Sequence, residues 1–338
     1  MTPTYRRRLA AALLVPLLAL SAAACTDSDD GDENTSGDDG STTTAADGDT
    51  GDTDTTEASG AEFTFTPLDV GGPLTKDALE NGDIQIGLLF SSDGAIAANE
   101  WVALEDDKDL QPADNFVPAI RTDATNDDIA AVLDAVSAAL TVEDMQALVA
   151  QVSIEGDNPE DAAGTFLEEQ SLPGDLTAEG SLNVGSSNFA ESNIAAQLYG
   201  QALAAAGVDV SYTPDIGARD VYYEALKAGD IDLVPEFTGT LLTFLDPAAT
   251  ASPDVEVVLE ALRPLAEEDG VTILEPSEAD SVNTFVVTSE TAEEYGLATV
   301  SDLAGVPDSL TLGGPPECPE REFCLIGLQD VYGLTFAE

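Results

Sequence analysis

From residue 61 onward, short apolar runs alternate with stretches of helical period. Ten runs predict strands: Glu62–Thr66, Ile84–Leu89, Val102–Leu104, Asn115–Ile120, Ser181–Val184, Val208–Tyr212, Ile231–Val234, Thr272–Leu274, Thr284–Val287 and Leu310–Leu312. Between them, Ile129, Val132, Leu133, Val136 and Leu140 follow helical spacing behind Asn126, a capping residue type. Thr141 with Asp144 forms a capping-box pattern, and Asn158 followed by Pro159 reads as a cap and a first helical residue. Asn188 with Glu191 predicts the start of a long helix through Ala206. Such alternation implies an α/β protein with mostly parallel sheets covered on both faces. The 278 residues of 61–338 exceed one comfortable core, so two lobes are expected.

The pattern before residue 61 differs. Arg6, Arg7 and Arg8 precede an apolar run from Leu9 to Leu20, followed by Ser21-Ala22-Ala23-Ala24-Cys25. The run is too short to span a bilayer and ends in small residues, so residues 1–24 read as a signal peptide. A Cys directly after small residues resembles a bacterial lipobox. Cys25 is therefore expected to become the lipidated first residue of an extracytoplasmic protein anchored to the cell membrane. Residues 26–60 hold 12 acids, no base and almost nothing apolar. They cannot offset ordering entropy by burial, so 25–60 is expected to be a disordered acidic tether.

Charge narrows the function classes. The chain has 66 Asp plus Glu, 10 Lys plus Arg and no His, for a formal charge of −56. A polyanion repels phosphate backbones, which argues against nucleic-acid binding. Without His there is no Ser-His-Asp or Cys-His catalysis and no His-ligated zinc. Carboxylate pairs are uninformative among so many acids, and no nucleophile motif or phosphate-binding glycine loop appears. No catalytic residue, metal site or cofactor is assigned, and the chain is not expected to be an enzyme. Residues 61–338 carry 54 acids against 7 bases, which fits work in high salt, where screening is strong. With Cys25 committed to lipid, Cys318 and Cys324 are the remaining pair, and outside the membrane they are expected to form a disulfide.

Several stretches resemble the substrate-binding proteins of osmoprotectant ABC transporters, the glycine betaine/choline/carnitine family. They are Val184-Gly-Ser-Ser-Asn-Phe-Ala-Glu191, Pro235-Glu-Phe-Thr-Gly-Thr240, Gly313-Gly-Pro-Pro-Glu317 with Arg321, Gly71-Gly-Pro-Leu-Thr75 and Leu104-Glu-Asp-Asp-Lys108. The order departs from the family's: 181–338 resembles its first half and 61–172 its second, with 173–180 joining the old ends. The resemblance implies a two-lobed type II periplasmic-binding-protein fold, circularly permuted, with two hinge strands between mostly parallel sheets. Lobe 1 is expected at about 111–282, and lobe 2 at about 283–338 plus 61–110. The permuted order further predicts that Glu338 and Glu62 lie close together at the edge of lobe 2, 334–338 and 63–69 forming one strand and its approach.

The resemblance also implies a function: capture of a small osmolyte by cleft closure, and delivery to an ABC permease and its ATPase by a lipid-anchored monomer. A solute sensor or surface protein with the same fold is the alternative. By position in the motifs, Phe237 falls at a cage aromatic and Thr240 at a carboxylate-binding threonine. Ser187, Asn283, Phe285, Phe90, Asp93 and Asn115 fall at other site positions, and Arg321 at a cross-cleft arginine. Asp114 and Asn115 stand where some members have adjacent tyrosines, leaving the cage short of aromatics and richer in acceptors.

Overall fold

A computed structural model describes residues 62–250 and 252–337. The expected signal peptide, Cys25 and the expected tether lie outside the described residues. No described helix is long and apolar enough to cross a membrane.

The apolar runs form eleven strands: β1 Glu62–Pro67, β2 Ile86–Phe90, β3 Val102–Ala103, β4 Phe116–Arg121, β5 Ser181–Gly185, β6 Asp209–Thr213, β7 Leu233–Phe237, β8 Val271–Ile273, β9 Asn283–Val287, β10 Thr311–Gly314 and β11 Thr335–Phe336. Two sheets result, in the orders β6-β5-β7-β4-β8 and β11-β1-β10-β2-β9-β3. The first is packed on one face by residues such as Leu133, Leu198 and Leu203, and on the other by Leu226, Leu259 and Leu262. The second is held between Phe63, Leu312 and Leu328 on one side and Leu79, Leu89 and Ile96 on the other. Covering both faces explains why β7 is buried throughout and β4 nearly so. This is a two-lobed α/β fold of the type II binding-protein kind.

Each sheet contains one reversed strand. β4 runs antiparallel to β7 and β8, and β9 antiparallel to β2 and β3, while the remaining neighbours are parallel. Both reversed strands arrive from the other lobe, β4 after β3 and β9 after β8. The two crossings bind one another: Asn115 bridges Asp280, and the Phe116 N–H donates to the Ala279 carbonyl over 3.0 Å. Counted from β5 through the chain ends to β4, the five-stranded sheet runs second, first, third, reversed, fourth, and the six-stranded sheet follows the same order when the neighbours β11 and β1 together take the second place. The symmetry is lost when counting starts at β1. This fits the permuted order expected from the sequence, with the opening at the β11–β1 edge and 173–180 joining the old ends. The joint is tied down by the Ala178 N–H on the Ala206 carbonyl and the Asp209 N–H on the Gly180 carbonyl.

At the open edge the structure corrects one expectation. Segments 334–338 and 63–69 do not form one strand and its approach. β11 and β1 are parallel neighbours, with Thr335 beside Glu62, Phe336 beside Phe63 and the Ala337 N–H on the Phe63 carbonyl at 2.7 Å. The aromatic rings of Phe63 and Phe336 pack at 5.7 Å, so each segment buries its own side chain beside the other's. Glu338 itself lies outside the described residues.

Other departures are local. β7 continues through Pro235, which faces Pro118 across the ladder, and at that level the outer neighbour of β4 takes only the Pro118 carbonyl, from the Leu274 N–H at 3.2 Å, so no N–H is called for. β2 begins two residues late because the Ile84 N–H still closes the turn onto the Ala78 carbonyl. Asn126, Thr141 and Asn158 cap their helices. Asn188 does not: the long helix spans Ala190–Ala206 with Phe189 in the cap position, and Glu191 turns instead toward the Ser92 hydroxyl.

The lobes pack helix against helix beside the cleft. The helix Gly94–Ala98, following β2, lies against the helix Val142–Ala150, and the buried Gln146 side chain donates to the Ser91 carbonyl over 2.7 Å. A Cβ on Gly94 would come 2.4 Å from the Ala150 nitrogen. Overpacking against backbone is not relieved by a rotamer change. Gly94→Ala is accordingly expected to lower stability by about 1–3 kcal/mol, read as a lower urea midpoint. An unchanged midpoint would mean the two helices can separate freely.

Candidate functional site

The C-terminal ends of β2, β5 and β7 and the two crossings converge on one cleft, where open α/β sheets bind ligands. A cavity of about 430 Å³ there is lined by Phe90, Asp114, Phe189, Glu191, Arg219, Phe237, Thr240 and Ser281. Phe90 ends β2 and Phe237 ends β7, whereas Phe189 and Glu191 open the helix after β5. Asp114 and Ser281 sit on the crossings, and Arg219 and Thr240 lie in the first turns of their helices.

Three phenylalanine rings face this cavity. Phe189 and Phe237 stack with centroids 6.0 Å apart, and Phe237 is backed by Phe116 at 4.5 Å. Phe90 comes from the other lobe and is 39% exposed, as a wall of an open cleft should be and a core residue is not. Ring faces attract cations and offer nothing to an anion.

The charged groups are less balanced than the rings. Arg219 presents Nε and Nη2 to the fully buried Glu236 carboxylate at 2.9–3.1 Å, and Nη2 also donates to Thr240 Oγ1 at 2.8 Å. Burial would lower the Arg219 pKa, but Glu236 outweighs it and the net shift is upward. Asp114 accepts the Thr240 N–H at 2.8 Å. Desolvation nevertheless pushes its carboxyl up to about 6, against the pull of Thr240 and Arg219. Desolvation likewise raises Glu191, which accepts from the cross-lobe Ser92 hydroxyl at 3.2 Å. Two carboxylates thus line the cleft with their charge poorly compensated, a setting that a bound cation would relieve. Among the described residues no group of three or more acids or cysteines is placed to hold a metal ion.

Of the residues singled out from sequence, Phe90, Phe237 and Thr240 line this cavity. Asn115 and Asn283 line a second one of about 670 Å³ instead, together with Glu105, Glu143 and Asp280. Successive residues of an extended chain point to opposite sides, so Asp114 takes the cleft and Asn115 the other cavity. Ser187 is buried, its N–H bound to Ser192 Oγ, and Phe285 lies in the core of its lobe. Asp93 caps the helix Gly94–Ala98 through the Ala95 N–H and pairs with Lys76 at 2.7 Å. Arg321 is half exposed, 3.8 Å from Glu317, and does not line the cavity. Cys318 and Cys324 are buried at disulfide distance, with Cα atoms 5.3 Å apart.

The cleft's guanidinium is Arg219, which sequence reasoning passed over, as it did Phe189, Glu191 and Ser281. Phe189 could have been found, since it stands inside a motif at the end of a strand. Arg219 gave no such signal beyond being one of few cations.

Residues 20–169 and 180–338 match the family described as the substrate-binding domain of the ABC-type glycine betaine transport system. The chain belongs to this family. The break in the match falls at the joint that closes the reordered chain. A glycine-betaine-binding protein of Pseudomonas aeruginosa is 32% identical over 164 residues, covering 46% of this chain and 52% of that protein. The carnitine transport binding protein OpuCC of Listeria monocytogenes is 30% identical over 162 residues, covering 46% and 52%. The glycine betaine-binding protein YehZ of Escherichia coli is 27% identical over 178 residues, covering 51% and 58%. The chain thus spans about half the length of the curated relatives it matches. Among solved structures, NikA from Brucella suis aligns over 64% of this chain and 55% of that one, with a TM-score of 0.34 and 14% identity. Nothing about the site transfers over that distance.

The desolvated Asp114 has a consequence for stability. Its carboxyl holds a proton to higher pH in the native chain than the ordinary value of 3.8 allows in the unfolded one. The ligand-free fold therefore loses this group's stability contribution as pH rises from about 4 to about 7. Asp114→Asn should stabilise the fold relative to wild type by on the order of 2–3 kcal/mol near pH 7 compared with its effect well below pH 3.8, where the Asp114 carboxyl is neutral in both the native and the unfolded chain. Urea titrations across that range measure the difference. A difference constant with pH would contradict the desolvated carboxylate.

Proposed function

We propose that the domain captures a small quaternary ammonium or zwitterionic compatible solute of the glycine betaine/choline/carnitine type, and delivers it to an ABC permease. The observation that carries this reading is the cleft itself. Phenylalanine faces from both lobes converge on one cavity beside two poorly compensated carboxylates. A quaternary ammonium has no hydrogen-bond donor, and ring faces with nearby negative charge are what hold it. Family membership and the names of the relatives point to the same ligand chemistry. The reading includes solute release to a permease and its ATPase, a monomeric state, no cofactor and no catalysis.

Calorimetry with a panel of betaine, choline, carnitine and proline betaine tests it. At least one should bind. Phe90→Ala should weaken that binding by about 1–2 kcal/mol, the scale of a desolvated cation–π contact, and leave the urea midpoint in place because Phe90 is exposed. Wild-type affinity in the variant would move the ligand away from these rings.

The reading also holds that Cys25 is lipidated and that the tether carries the domain outside the cell membrane, with Cys318 and Cys324 oxidised. The support is the signal-like pattern of residues 1–25 and the acidic composition of 26–60. Mass spectrometry of the mature N-terminus should find a diacylglyceryl-cysteine at Cys25. A mature chain starting at an unmodified Thr26 would refute the anchor.

A further inference from the structure

We infer that the cleft selects a cation without a carboxylate: Asp114 fills the seat a ligand carboxylate would need, and Glu236 neutralises the guanidinium beside it. This rests on the capture function proposed above and narrows its ligand class.

A zwitterion makes two demands on a site, ring faces for its ammonium and hydrogen-bond donors for its carboxylate. The rings are present. Apart from Arg219 Nη1, the side-chain donors and the Thr240 N–H that line the cleft are already engaged. The Thr240 N–H, in the first turn of the helix Thr238–Leu245, donates to Asp114 Oδ1 at 2.8 Å. Gly239 lets the chain come this close, since a Cβ there would fall 2.3 Å from the Ala113 oxygen and 3.4 Å from Asp114 Oδ1. Thr240 Oγ1 accepts from Arg219 Nη2 while its hydroxyl hydrogen is turned to Asp114, and the Ser281 hydroxyl is shared with Ser92 at 3.1 Å. Arg219 Nε and Nη2 are committed to Glu236.

Arg219 Nη1 is left for a ligand, but it lies in the field of Glu236 and Asp114. Asp114, Glu191 and Glu236 set three carboxylates against one guanidinium among the described residues of the site and its ion pair. The neighbouring Lys76 is matched by Asp93 and adds no net charge. A second anion here would meet repulsion in a partly desolvated cleft, where charges are screened least. A quaternary ammonium alcohol meets none. Its head faces the rings and the carboxylates, and its hydroxyl can donate to Asp114 and accept from Nη1.

Choline and glycine betaine test this, because they share a trimethylammonium head and differ in alcohol against carboxylate. Titration calorimetry of the full chain near neutral pH should show choline binding at least tenfold tighter than glycine betaine, with tetramethylammonium also bound. Glycine betaine binding as tightly as choline, or tighter, overturns the inference and leaves the capture function standing. No binding by any of the three overturns the inference, and the capture function falls with it only if carnitine and proline betaine also fail to bind. Asp114→Asn should shrink the choline preference at least tenfold, with a thermal melt reporting its fold. An unchanged preference in a folded variant removes Asp114 from the role given to it here. Should that variant not fold, the wild-type ratio decides alone.

Discussion

The two crossings between the sheets are the constraint on which the rest depends. A chain that leaves one parallel sheet and enters another must run against its new neighbours, so β4 and β9 are each reversed in the sheet they join. The crossings also pair with one another at Asn115 and Asp280. This holds the strand ends of both lobes toward a common gap. The residues just outside β2, β5, β7, β4 and β9 then become the cleft wall whatever their identity. Rings at 90, 189 and 237 and acids at 114 and 191 meet there because of topology, not sequence proximity.

Electrostatics then decides what the cleft can hold. The seven cations of residues 61–338 are set among 54 acids, and each lies within reach of at least one carboxylate or carbonyl. Those that span elements act as local fasteners: Arg121 joins Asp123 and Asp232, and Arg263 reaches Glu275 and two backbone carbonyls. Such partly exposed pairs contribute little stability each. Their effect is to leave few cations for any other task. Arg219 is buried enough for its pairing to matter, but that pairing is with a fully buried carboxylate that would otherwise stand alone. Removing either partner would strand a charge in low dielectric.

Much of this was legible in the chain and some was not, for separable reasons. The ten strand cores depend on local apolar runs, and Asn126, Thr141 and Asn158 cap through hydrogen bonds only two or three residues away, so short windows contain the cause. β11 has two residues and exists because β1 lies beside it, a contact between the extremes of the domain. Pro118 and Pro235 read singly as strand breakers, and only their placement opposite each other makes both harmless. Motif resemblance located Phe90, Phe237 and Thr240 in the cleft. It placed the key cation at Arg321, because the motif supplies an arginine at that position without saying which way it turns. Which of two adjacent residues faces the cleft, Asp114 or Asn115, is a matter of extended-chain parity that no window of sequence fixes without a register.

The proposed capture function calls for closure, and the site is divided between the lobes in a way that would serve it. Phe90 belongs to one lobe, and Phe189, Phe237, Arg219 and Thr240 to the other. Under the capture function proposed above, a cation touching rings of both lobes would gain contact as the lobes approach, so its contacts would differ between an open and a closed state. That difference is what a ligand needs in order to shift a conformational equilibrium. The hydrogen bonds already spanning the floor, from Ser92 to Glu191 and to Ser281, set a small opposing balance of polar groups. Glu191 is held there with its carboxyl raised by burial, and closing around a cation would lower that cost while closing around nothing would increase it. Under the proposed capture function the poorly compensated acids of the cleft would thus do two things at once: resist closure of the empty site and favour closure of the filled one.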